Sequence, residues 1–81
     1  MTGIAKSEED LEARVGDYLT ERMKAAGLTY RELAEALRGQ GYASETRDSV
    51  KSKMKRGKFS AAFMIAVVAA LGVRRIDLSE F

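Results

Sequence analysis

The chain has 81 residues, 46% of them hydrophobic, contains neither Cys nor His, and carries a net charge of +2. That length makes one domain, spanning 1–81, which buries only about 60% of the surface its unfolded chain exposes, so the core must be small. The missing residue types exclude disulfides, thiolate metal sites and imidazole acid–base chemistry, so neither an enzyme nor a bound metal nor any other cofactor is expected.

The opening MTGIAKSEEDLEARV lacks the continuous apolar segment of a signal peptide. The longest apolar run, Ala61 to Leu71, falls short of the roughly 20 residues that span a bilayer. A cytoplasmic domain is therefore expected, with residues 1–6 a flexible lead and 73–81 a C-terminal tail. Charge is unevenly spread. Residues 1–45 balance at −3, residues 46–58 at +5, and residues 59–81 at zero. A basic excess concentrated in one short segment is the footprint of an anion-binding face, although a solvated helix collects lysines too.

In chain order, Leu11, Val15, Leu19 and Met23 recur every four residues, with Tyr18 and Ala26 beside them. This is one face of an amphipathic helix, predicted over 8–26. Ser7 is its N-cap, and Glu8, Glu9 and Asp10 suit the positive end of the helix dipole better than they suit an acid–base or metal site. Gly27 stops the helix. A second helix, over 30–38, starts at a capping box of Thr29 and Glu32, with Leu28 and Leu33 as the hydrophobic staple. Leu33, Ala34 and Leu37 form its apolar stripe, and the two glycines of RGQGYASE break it.

The third helix, over 45–56, begins near Ser44 or Thr46 and stops at Gly57. Only Val50 and Met54 look inward, so it rests lightly on the core and exposes most of its circumference. The fourth, over 60–71, is capped by Ser60, stapled by Phe59 against Met64, and ended by Gly72. It is apolar all round, which predicts burial on every side. The tail VRRIDLSEF reads as a short edge strand, a helical turn, or an arm that packs on a second copy. The fold class is all-α, a four- to five-helix bundle.

No glycine-rich phosphate loop follows a strand, and no carboxylate pair stands apart from the general charge pattern. What remains is a pair of consecutive short helices, one capped and packed, the next basic and exposed. A helix-turn-helix has that arrangement: the first helix braces while the second lies in the major groove.

The runs LTYRELAEAL, KRGKFS and AALGV resemble the helix-turn-helix domain of lambda-repressor-like, or XRE-type, bacterial regulators. The resemblance covers about Leu19 to Val73. With its lengthened turn and its R-G-K-F-S-A-A-F run, the chain is most similar to a poorly characterised group of small bacterial domains of this type. The added residues fall in RGQGYASE, where the motif has a turn of about three or four residues. They either extend the second helix or form a loop carrying Tyr42 beside the third.

The resemblance implies sequence-specific binding of double-stranded DNA as a transcriptional regulator, without cofactor or metal. It places Thr46, Arg47 and Ser49 near the base edges, with Lys51, Ser52 and Lys55 continuing along the exposed face. Lys53, Arg56 and Lys58 fall to phosphates. Tyr30 stands where the family often has a phosphate-reaching Gln; it either meets a phosphate through its hydroxyl or packs on the first helix. Arg47 is the candidate for bidentate guanine readout, because its planar fork matches O6 and N7; the positions four residues away, Lys51 and Ala43, offer no acid to pair with it instead. A homodimer on a palindromic site would supply the specificity that one helix lacks. The alternative is a protein-interaction module, an antitoxin or adaptor that keeps the fold without reading DNA. RNA binding ranks behind both, because the aromatics are not clustered as a stacking platform.

Overall fold

A computed structural model describes residues 7–81; the expected flexible lead at 1–6 lies outside the described residues. Four helices follow one another: α1 (Glu8–Ala25), α2 (Tyr30–Gly39), α3 (Arg47–Arg56) and α4 (Ala61–Ala70). A single 3-10 turn, Leu78–Glu80, sits in the tail. The described residues contain no strand, so the tail does not take the edge-strand option; apart from this turn it is irregular. No described helix is long and apolar enough to cross a membrane.

The helix starts are set by side chains. Ser7 accepts from the Asp10 amide at 3.1 Å. Thr29 accepts from the Glu32 amide at 3.1 Å while Glu32 accepts from the Thr29 amide at 3.0 Å. Ser60 accepts from the Phe63 amide at 3.0 Å. Each bond satisfies an amide that the helix itself leaves unpaired. Residue for residue, Ser60 and Thr46 are caps outside the helices that follow, and Ser44 takes no part in capping.

The core gathers Tyr18, Leu19 and Met23 of α1, Leu33, Ala34 and Leu37 of α2, Val50 and Met54 of α3, and Phe63, Ala66, Val67 and Val68 of α4. Leu28 packs at its edge, as a staple partner of Leu33 should. Leu11 is 38% exposed, so the apolar face of α1 reaches the core only from its second turn onward.

α1 and α3 cross so closely that their backbones touch. A methyl group added at Gly16 of α1 would overlap the carbonyl oxygen of Met54, and one added at Gly57, just past α3, would overlap the carbonyl of Glu12. Gly57 also adopts φ +65°, the left-handed conformation that ends α3. The crossing fixes the C-terminal end of α3 to the longest helix of the domain.

α4 departs from expectation. Its Phe63, Ala66, Val67 and Val68 are buried, but Ala61, Ala62 and Ala69 are exposed and Ile65 is 63% exposed. Its main packing partner is α2, and a domain this small lacks the layers to enclose a helix on every side. Phe59 packs on the Phe63 ring, centroids 5.2 Å apart, while Met64, its expected staple partner, is half-buried.

The tail returns across α1. Phe81 is buried against the Tyr18 ring at 5.0 Å, and its main-chain oxygen accepts from Arg14 at 2.7 Å. Arg22 meets Glu80 at 3.5 Å and lies over the same Tyr18 ring.

Candidate nucleic-acid interface

The connection from α2 to α3 determines how α3 is presented. α2 runs to Gly39, one residue past the expected end, and then closes with paired backbone bonds, Gly41 to Arg38 and Tyr42 to Leu37. This is a Schellman closure, and it requires Gly41 to take φ +102°. The remaining residues form a loop whose Tyr42 packs at the edge of the core. The two alternatives for the lengthened turn are therefore combined: α2 is one residue longer, the rest is a loop carrying Tyr42, and the Tyr42 ring packs on the core. The Arg38 guanidinium donates to the Glu45 carbonyl at 2.8 Å, tying the end of the loop back to α2.

α3 then starts at a reciprocal cap. The Ser49 amide donates to Thr46 Oγ1 at 3.1 Å, and the Thr46 amide donates to Ser49 Oγ at 2.8 Å. The capping box of α2 is plain in the sequence because its partner is Glu; here Ser takes that place, and the signal is fainter.

Helical phase sorts the side chains of α3 into rows four residues apart. Val50 and Met54 are fully buried. Ser49 and Lys53 form the adjacent row, half-buried, and both turn to Glu45. The other two rows are mostly exposed: Arg47, the half-buried Lys51 and Lys55 in one, Asp48, Ser52 and Arg56 in the next. Lys58 is exposed just beyond the end. Arg47 pairs with its neighbour Asp48 at 2.9 Å, both well exposed; such a pair is weak and easily exchanged for another anion. Among the described residues no ion pair engages Lys51, Lys55, Arg56 or Lys58.

Glu45 is the one buried charged side chain of the described core, 5% exposed. It accepts from Ser49 Oγ at 2.7 Å and is paired with Lys53. Burial pushes its carboxyl pKa up, but the hydrogen bonds from Lys53 and Ser49, with the lysine's charge, outweigh that and leave it below the ordinary glutamate value. The Lys53 ammonium also lies 4.8 Å from the Phe63 ring centroid, so it bridges the loop, α3 and α4.

Of the ten residues singled out in the sequence, the structure leaves Arg47, Ser52, Lys55, Arg56 and Lys58 exposed on α3 and just past it, with Lys51 half-buried at the flank. Thr46 stands at the N-terminal edge of α3 as the cap. Ser49 and Lys53 are turned away, against the expectation of base and phosphate contacts, because a buried acid two positions before Arg47 holds both. Tyr30 is half-buried at the edge of the core, and it shares a shallow surface groove with Met23, Thr29, Arg31 and Arg47. Arg31 was not among the expected residues. It sits beside Arg47 only because the start of α2 comes close to the start of α3, a tertiary approach that helical periodicity does not encode.

The model of a family described as Domain of unknown function (DUF6471) matches residues 3–76, a span that takes in all four helices. No curated protein and no solved structure gives a significant match.

Proposed function

The chain belongs to the DUF6471 family, and we propose that it binds double-stranded DNA non-covalently through α3, as a sequence-specific bacterial transcriptional regulator of the lambda-repressor-like kind. One observation carries this reading. α3 has one row fully buried and two outward rows whose cations, with Lys58, outnumber the single acid Asp48. A ten-residue helix is about 15 Å long, and its diameter of about 10–12 Å suits a groove about 12 Å wide. α2 packs against both α3 and α4 and braces the reading helix from behind.

The roles follow from position. Arg47, at the first turn of α3, is the planar donor fork suited to guanine O6 and N7. Ser52 continues along the groove floor, and Lys51, on the flank of the helix, meets a phosphate beside it. Lys55, Arg56 and Lys58 meet phosphates beyond the far end, and Arg31 with the Tyr30 hydroxyl meets a phosphate at the near end. Two copies on a palindromic site would double the few base contacts of one helix.

Selection of bound duplexes from a random pool tests the reading. Enrichment of two half-sites about 34 Å apart is expected, and Arg47→Lys is expected to relax one guanine position. A folded protein that enriches nothing contradicts it.

A second reading, a protein-interaction module, is favoured by α4, where Ala61, Ile65 and Ala69 form an exposed row that carries no charge. Under that reading the duplex pool returns no sequence, and Ile65→Asp disrupts the partner complex while substitutions on α3 do not.

A further inference from the structure

The +5 balance of residues 46–58 counts six cations as equivalent. The structure separates them. Four are exposed and Lys51 is half-buried with no ion-pair partner among the described residues, whereas Lys53 is held between the Glu45 carboxylate and the Phe63 ring. Its side chain is 34% exposed and that of Glu45 only 7%. Breaking this contact would strand a buried carboxylate, which strongly favours keeping it closed. Glu45 is itself held in place. Its carbonyl accepts from Arg38 of α2, and its second carboxylate oxygen accepts from Ser49 inside the α3 cap. The ammonium would have to leave both the carboxylate and the ring to reach a phosphate.

We infer that Glu45 is a positioning residue that withholds Lys53 and Ser49 from the nucleic-acid face, so that the DNA contact is made with one charge fewer than the sequence contains. The inference rests on the DNA-binding reading above and deepens it. It assigns the phosphate-contacting set to Arg31, Lys51, Lys55, Arg56 and Lys58, and it leaves Arg47 and Ser52 as the side chains free to read bases. Glu45 thus lowers affinity by removing a cation and narrows specificity by fixing which rows of α3 face outward.

The salt dependence of duplex binding tests this, because each phosphate neutralised adds about 0.9 to the slope of log Kd against log salt, and a merely structural role does not. Glu45→Gln keeps the shape and releases the lysine; its slope is expected to steepen by about 0.9, with tighter binding at low salt. Adding Lys53→Met to Glu45→Gln is expected to return the slope to the wild-type value. An unchanged slope in folded Glu45→Gln overturns the inference, and so does a double variant flatter than wild type. Should Glu45→Gln not fold, Lys53→Met against Lys51→Met decides: the first is expected to leave the slope unchanged and the second to flatten it by about 0.9, and equal flattening overturns the inference. Absence of duplex binding by the wild-type chain overturns the DNA reading and this inference with it, an outcome distinct from binding with the wrong slope.

Discussion

Gly16 and Gly57 lie where α1 crosses α3, with no room for a methyl group between the two backbones. Gly16→Ala must push α3 outward or bend α1, and overpacking of that kind costs about 1–3 kcal/mol. Gly39, at the last turn of α2, has helical geometry and nothing within 4 Å of an added Cβ. Gly39→Ala is therefore expected to stabilise by about 0.4–1 kcal/mol, through the unfolded chain. Urea unfolding of the two variants checks the contrast, and equal effects would contradict the crossing. Gly16 also marks a limit of the sequence: a small residue inside an amphipathic helix has the same letter whether it faces water or another backbone.

Glu45 makes a second prediction at this scale. Its folded carboxyl titrates below its unfolded value, so its stabilisation is complete above an unfolded value of about 4.3 and is lost as the pH falls through the lower folded value. Thermal melts between neutral and strongly acidic pH should show the wild type losing stability across that range. Glu45→Gln should lose less, the remainder coming from other carboxylates such as Asp77, which the Ser79 amide and hydroxyl also hold below its ordinary value. Parallel curves for the two proteins would contradict the clamp.

At the scale of the element, what was legible depended on the range of the interaction. The starts of α1, α2 and α4 were legible because a cap and its partner are three residues apart, as Ser7, Thr29 and Ser60 each illustrate. The inward row of α3 was legible because Val50 and Met54 are one turn apart in an otherwise polar helix. The inward turn of Lys53 was not, because its partner precedes it by eight residues and belongs to the loop. The exposed row of α4 was hidden for a different reason: an apolar sequence states what a helix tolerates, and only the number of neighbours decides how much of it is covered. The cap of α3 carries a prediction of its own. Thr46→Ala removes the acceptor for the Ser49 amide and is expected to cost about 1 kcal/mol in chemical denaturation. A change within about 0.5 kcal/mol would be typical of an ordinary surface site, and would contradict the cap.

For the molecule as a whole, the two ends of α3 are held by different means. The crossing with α1 fixes its C-terminal end, and the loop of Gly41, Tyr42 and Glu45 fixes its N-terminal end. The tail covers α1 at Tyr18, whose hydroxyl is buried without a partner among the described residues. With both ends fixed, the outward rows of α3 present their cations as one rigid face, and the loop aims that face where its sequence alone left the direction open. The most direct test is duplex binding by the full chain across a salt series, beside a Lys51→Ala, Lys55→Ala, Arg56→Ala variant whose fold is checked by circular dichroism. With about five phosphates neutralised, the wild-type slope of log Kd against log salt is expected near 4.5 (about 0.9 per phosphate), and that of the variant, three cations poorer, near 2. A folded wild type with no duplex binding at about 50 mM salt, a low-salt condition that favours any phosphate contact, or a variant with an unchanged slope, would contradict the assignment of α3 as the DNA-binding face.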